Sequence, residues 1–390
     1  MTQRSELRVL TKLGLDELGD AASGVHSVHR AISDRVFTFV PVPPVKWMHD
    51  VITDGVYEIV AGASRATGLV AEAAVPDLPP VSDTVRGGVL LGILQGLIGD
   101  KLPAELTARM TVRVDGKPVA DVAQAFPGAT GRLVVFVHGL VETEHAWRLG
   151  GRPAYGERLA ADLGMTPVYV RYNTGRHISE NGRELAALLE ALVAAWPVPV
   201  AQIALVGHSM GAMVARSACH QAPESYWVRR VHHVVCLGSP HLGAPLEQFV
   251  HYASAVLAAV PETRAFGALL RRRSAGIRDL RAGSLVDEDW RDRDADALAA
   301  AVCAEVPLLT GAAHFFVSAT VTRSPRHPLG RLIGDGLVLV PSASGRSRRR
   351  RIGFDEADGF HIGGASHFTL LNNDAVYEQL RSWLRAPVVV

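Results

Sequence analysis

The sequence predicts an α/β protein built on a doubly wound, mostly parallel sheet, preceded by a helical segment and interrupted by an insertion. Two observations carry this. Short apolar runs alternate with helix-like stretches from about residue 130 onward: Leu133 to Val137, Pro167 to Tyr172, Ile203 to Val206, Val231 to Leu237 and Phe315 to Thr320. Strands alternating with helices pair in parallel through right-handed crossovers. Second, a chain of 390 residues with 48% hydrophobic residues and a formal net charge of +1 buries a large core and exceeds one average domain.

The first 105 residues read as an accessory helical segment, with proline punctuation at Pro41, Pro43 and Pro44 and again at Pro76, Pro79 and Pro80. Ile52, Val56, Val60, Ala63 and Val70 recur near helical spacing. This stripe is read as a surface that packs on the rest of the protein. The alternative is an apolar platform in peripheral contact with lipid, because residues 87 to 99 (GGVLLGILQGLIG) carry no charge. That run is too short for a transmembrane span, which needs about 20 residues.

The N-terminus lacks the basic start, apolar run and cleavage site of a signal peptide. The expected location is cytoplasmic, with a place peripheral to a membrane or lipid body as the variant that the apolar helices suggest. The cysteines, Cys219, Cys236 and Cys303, are scattered and odd in number, so they are read as reduced residues of the interior.

From residue 106 to the end the chain is assigned to a catalytic domain. Met110 to Val114 alternates into Asp115-Gly116, a hairpin signal. Between Gly243 and Leu309 the chain makes an excursion far longer than a direct crossover requires, read as a cap or lid.

The chemistry centres on Gly207-His208-Ser209-Met210-Gly211, a GxSxG that follows an apolar strand and precedes the helix-like run Ala212 to Ala218. That context makes a nucleophile elbow, with glycines where neighbouring backbone leaves no room for side chains. A serine hydroxyl needs a base to take its proton, and the base needs an orienting acid. Downstream stand Asp335, in Gly334-Asp335-Gly336, and His367, in Gly363-Gly364-Ala365-Ser366-His367. The rivals are Asp355 or Asp358 for the acid and His361 for the base.

The oxyanion formed on attack calls for preorganised N–H donors. One is expected from Met210, at the start of the helix, where free N–H groups and the dipole converge. The other is expected from the loop His138-Gly139-Leu140, through Leu140 N–H, with Val141 as the alternative.

These segments, together with Gly238-Ser239-Pro240-His241-Leu242-Gly243-Ala244-Pro245, resemble the lipase-type α/β-hydrolases that include the inositol-deacylase-like esterases. The likeness spans roughly residues 130 to 375. It implies an α/β-hydrolase fold, Asp335 as the triad acid, and a GSPHxGAP segment that shapes the acyl site. It does not fix the substrate.

His138, Gly139 and His208 fall near the substrate. Tyr172-Asn173-Thr174-Gly175-Arg176-His177 lies at the end of a predicted strand, the edge where ligands bind in open α/β sheets. There Arg176 or His177 touches substrate, or the segment is only a helix-capping loop closed by Ser179. Arg346 to Arg351 (RSRRRR) reads as a solvated loop, with an anionic partner as the sharper alternative.

No nucleic acid is expected, because no aromatic residues interleave the arginines. No cofactor and no metal are called for, since GxGxxG after a strand, GxxxxGK[ST] and HExxH are all absent. The expected activity is hydrolysis of carboxylic esters, lipid or acyl esters among them, through an acyl-enzyme. An acyltransferase or thioesterase on the same residues, and a non-catalytic lipid-surface scaffold, are the alternatives.

Overall fold

The structure is a computed structural model, and it describes residues 80–107, 109–244, 273–293, 303–347 and 350–385. The readings placed on residues 1–79, on most of the 243–309 excursion and on Arg348 and Arg349 lie outside the described residues.

Eight strands form one sheet in the order β2-β1-β4-β3-β5-β6-β7-β8: β1 (Thr111–Val114), β2 (Lys117–Pro118), β3 (Arg132–Val137), β4 (Thr166–Arg171), β5 (Gln202–His208), β6 (Val231–Leu237), β7 (Ala313–Thr320) and β8 (Gly359–Gly363). The α-helices among the described residues are α1 (Val85–Ile98), α2 (Val122–Ala125), α3 (Tyr155–Leu163), α4 (Ile178–Ala194), α5 (Met210–Gln221), α6 (Ala275–Ala282), α7 (Pro328–Ile333), α8 (Val340–Ala343) and α9 (Asp374–Arg385).

β1 runs antiparallel to β2 and to β4, and all pairs from β4 to β8 are parallel. Asp115 and Gly116 turn the β1–β2 hairpin with φ of 49° and 79°, as an Asp-Gly two-residue turn requires. β8 is the strand that the apolar pattern does not announce: only Phe360 and Ile362 are apolar between its terminal glycines, and Gly359 faces the Phe316 ring, where a Cβ would come within 2.3 Å.

The central strands are buried on both faces, which is why they read as continuous runs rather than alternations. On one face Leu133, Val135 and Val137 pack with Leu185, Leu189 and Met213. On the other, Val134, Phe136 and Val206 pack with Trp147, Tyr155 and Leu380. The first face is covered by α4 and by α5, which follows Ser209, the second by α3 and α9. Cys219 and Cys236 are buried and free, and burial pushes both thiols up to about 12.

Ahead of the sheet, α1 is capped by Thr84, whose hydroxyl accepts from Gly87 N–H at 3.1 Å. Gly88, Gly92 and Gly96 form a stripe at four-residue spacing, and all three are buried. A glycine in a helix interior ordinarily costs about 0.5–1 kcal/mol relative to alanine. Here the missing side chains let the helix backbone touch the loop that follows β3. A Cβ on Gly92 would lie 2.8 Å from Thr143 Cγ2, and one on Gly96 would lie 2.5 Å from Val141 Cγ1 and 2.9 Å from Val141 N.

The helix start is pinned as well. Arg171, at the end of β4, donates to Ser82 O and forms a forked pair with buried Glu144, its Nε donating to Oε2 at 2.6 Å, while Arg113 pairs with Asp83 at 2.9 Å. So the uncharged 87–99 run packs on the sheet domain through its glycine face, with Val89 and, just ahead of the run, Val85 exposed. No helix among the described residues is long and apolar enough to cross a membrane.

Candidate active site

β5 ends in the turn Gly207-His208-Ser209, and α5 begins at Met210. Ser209 has φ 52° and ψ −121°, an unfavoured conformation for a residue with a side chain, and its N–H donates to Leu237 O at 2.8 Å. Strain of this kind persists where the surroundings over-determine it. The surroundings do: a Cβ on Gly207 would lie 2.2 Å from Ala212 N, and one on Gly211 would lie 2.1 Å from Val137 O. Both glycines are therefore steric requirements of the strand-to-helix turn.

His367 follows β8 and lies beside Gly238, at whose position a Cβ would be 3.2 Å from the imidazole Cε1 and Nδ1. Its Nδ1 is 2.8 Å from Asp335 Oδ2, and its N–H donates to Asp335 O at 3.0 Å. Asp335 is buried, and its Oδ1 accepts from Leu337 N–H at 2.9 Å and Val338 N–H at 2.8 Å. Gly334 and Gly336, at φ 59° and 102°, allow the chain to fold that carboxylate back over its own amides.

Burial alone would lower the pKa of His367. The charge of Asp335 and its hydrogen bond outweigh burial, with Glu142 adding to them, so the imidazole is held above the ordinary 6.5. Of the alternatives, His361 sits on β8 bonded to Ser318 Oγ at 2.9 Å and Thr320 Oγ1 at 3.2 Å, Asp355 is exposed, accepting from Ala357 N–H at 3.0 Å, and Asp358 precedes β8, its carbonyl accepting from Phe316 N–H at 3.2 Å.

The loop after β3 approaches Ser209 from the other side, where a Cβ on Gly139 would lie 3.0 Å from Ser209 Cβ. Gly139 to Glu142 form a turn closed by Glu142 N–H donating to Gly139 O at 3.3 Å, with Val141 at φ 60°. A β-branched residue in the left-handed region is strained. Besides the Glu142 N–H, two more of this loop's N–H groups are committed, Gly139's to Glu142 Oε2 at 2.7 Å and Val141's to Thr174 Oγ1 at 3.3 Å. The Leu140 N–H lies between these two committed groups in the chain.

His138 is buried, stacked on Tyr172 at 4.5 Å between ring centroids, and its Nδ1 lies 3.0 Å from Gly139 O. Burial lowers its pKa. His208 is buried between Glu142 and His367. Glu142 is the residue that the sequence did not single out. Its only signal is an acidic side chain two residues beyond the His-Gly-Leu run.

Arg176 and His177 are engaged within the protein. Arg176 pairs with Glu184 and, at 3.4 Å, with Glu180. His177 lies 3.1 Å from both Asp279 oxygens and stacks on Trp290 at 3.7 Å. The cap of α4 is Asp279, which accepts from Ile178 N–H at 2.8 Å. Ser179, expected to close that cap, instead donates to Asp287 at 2.6 Å.

Asp279 belongs to α6, the described helix of the long excursion, which sits over the start of α5: a Cβ on Gly276 would be 3.1 Å from Met210 Cε. Within the arginine run, Arg346 bonds Phe354 O and pairs with Glu356 at 3.1 Å, and Arg350 donates to Ala304 O at 3.2 Å.

The contact between α1 and the loop carries a prediction. Gly96→Ala, normally a stabilising helix substitution, is expected to press on Val141, displace the loop and lower kcat on a soluble ester roughly tenfold or more. Gly128→Ala, at a position with nothing within 4 Å, serves as the silent control.

A strand-to-helix elbow at the carboxyl edge of such a sheet, faced by a histidine–aspartate pair from later loops, defines an α/β-hydrolase fold. Residues 128–290 match the family model described as the PGAP1-like alpha/beta domain. No curated protein matches the chain.

Among solved structures, it is similar to the Bacillus licheniformis lipase BlEst2 in its propeptide form, at 18% identity and a TM-score of 0.46, covering 67% of this chain and 51% of that one. This chain thus spans about half the length of that protein. It is also similar to EstA from Clostridium botulinum, at 15% identity and a TM-score of 0.39, covering 66% and 88%. The lipase of Staphylococcus hyicus is similar at 13% and 0.37, covering 66% and 96%.

Proposed function

We propose that the protein is a serine hydrolase that cleaves carboxylic esters, lipid or acyl esters among them, through an acyl-enzyme. The observation that carries this reading is the strained Ser209 at the elbow, directly after His208, whose ring centroid lies 4.6 Å from that of His367, an imidazole whose Nδ1 faces a buried carboxylate. With Nδ1–H donating to Asp335, His367 keeps Nε2 as the acceptor, the tautomer that takes a proton from a serine hydroxyl.

Ser209 Oγ attacks the carbonyl carbon as His367 removes its proton, and the tetrahedral oxyanion is received by Leu140 N–H and Met210 N–H. His367 returns the proton to the departing alkoxide, leaving Ser209 acylated. Water activated by the same imidazole then releases the acid. His138, Gly139 and His208 shape the floor beneath this centre. Substrate contact by Arg176 and His177 is not part of the reading, because both are tied to acidic side chains.

A panel of acyl esters of increasing chain length, run on wild type and Ser209→Ala in parallel, tests the activity and ranks its substrates. Hydrolysis retained in the variant would overturn the proposal. The pH dependence follows from the base. His367 works only when neutral, and Asp335 holds its pKa up, so kcat/KM falls as pH drops through a value above the ordinary 6.5. An acid limb below that value in a pH–rate profile would contradict the assignment.

A further inference from the structure

We infer that His208 is an imidazolium held in a buried ion pair with Glu142, and that this pair is a positioning device tying the oxyanion loop to the backbone of the general base. The inference rests on the reading of Ser209 and His367 as nucleophile and base.

The charge follows from the placement of donors and acceptors around the ring. His208 Nδ1 lies 2.9 Å from Glu142 Oε1 and 3.1 Å from Oε2, and His208 Nε2 lies 3.2 Å from the carbonyl oxygen of His367. A carbonyl oxygen only accepts. Glu142 Oε2 also accepts, from Gly139 N–H at 2.7 Å. Nδ1 thus faces both carboxylate oxygens, which suits one N–H shared between them, whereas a protonated carboxyl would aim one O–H at Nδ1 and leave its other oxygen against the same ring lone pair. With acceptors at both ring nitrogens, His208 must donate from both, and a neutral imidazole has only one N–H. The ring is fully buried among Trp147, His367 and Phe368. A charge there is tolerable only when paired and hydrogen-bonded, as this one is.

The pair joins three segments that must keep register. Glu142 fixes Gly139 N–H and so the turn that presents Leu140. His208 is the residue before Ser209. His367 O belongs to the base itself. Glu142 and His208 are thus positioning residues, acting through the loop and the base.

Glu142→Gln is the informative variant. The glutamine carbonyl can still accept from Gly139 N–H, and its NH2 can donate to His208 Nδ1, so the bonds survive while both charges vanish. In protein labelled with 15N-histidine, with the His208 signals assigned by their loss in His208→Gln, the wild type is expected to show both ring nitrogens at imidazolium shifts at neutral pH. Glu142→Gln is expected to show a neutral ring protonated on Nε2.

On a soluble ester, Glu142→Gln should lower kcat about tenfold and Glu142→Ala, which also strips Gly139 N–H of its acceptor, about a hundredfold, with KM within about twofold in each. A neutral His208 in the wild type would overturn the ion pair. Unchanged kcat in both variants would overturn its positioning role, and if Glu142→Ala does not fold, Glu142→Gln decides alone. Absence of ester turnover by the wild type would overturn the hydrolase reading, while the ring spectra would still judge the pair.

Discussion

Ser209→Ala is expected to lower kcat on a soluble ester by about five orders of magnitude, with the melting temperature held close to that of wild type. The size of the loss follows from what the hydroxyl supplies. In the proposed mechanism it forms the bond to the acyl carbon, and no other hydroxyl is held on the strained elbow at φ 52°. The small effect on stability follows from what it does not supply: the turn is fixed by backbone contacts at Gly207 and Gly211 and by Ser209 N–H bonding Leu237 O, none of which needs Oγ. Initial rates with a p-nitrophenyl ester and a thermal melt of the same preparation check both halves.

The second large effect is expected at the base and its orienter. His367→Ala and Asp335→Asn should each lose about three to four orders of magnitude in kcat. Asparagine at 335 offers an amide N–H where a carboxylate now accepts from Nδ1, which favours the wrong tautomer. The double variant should be little worse than the worse single one, because the residues act as a unit. His361→Ala should cost far less, since His361 is bonded to Ser318 and Thr320. If Asp355→Asn were the damaging change instead, the acid would be misplaced. Steady-state kinetics on the five variants decide this.

Much of this arrangement is legible in the chain because the constraints are local. The central strands are buried on both faces and so appear as runs of Val, Leu and Ile, and the elbow needs glycine at 207 and 211 for reasons that lie within a few residues of Ser209. Gly334 and Gly336 flank Asp335 for an equally local reason.

The features that the sequence conceals are those made by distant partners. Asp279 caps α4 from about a hundred residues away, so Ser179 looks like the cap from sequence alone. β8 is short of apolar residues and is held by its pairing to β7, by the Phe316 ring against Gly359 and by His361 bonding Ser318 and Thr320. Glu142 carries no mark in the sequence, and its place is set only when the fold brings His208 to it, 66 residues on. The uncharged run of α1 leaves packing and lipid contact both open in the sequence, and the partners of its glycines emerge only with Val141 and Thr143 in place.

Catalysis by this route requires a covalent bond at Ser209 Oγ, and the most direct measurement is to trap it. Wild-type protein quenched in acid during the first turnovers of a slowly deacylating ester, then digested and analysed by mass spectrometry, should carry the acyl group on the peptide that contains Ser209. It should carry none on that peptide in Ser209→Ala or His367→Ala. An acyl group mapped to another side chain, or product formed at the wild-type rate with no acylated protein in rapid-quench samples, would contradict nucleophilic catalysis by Ser209.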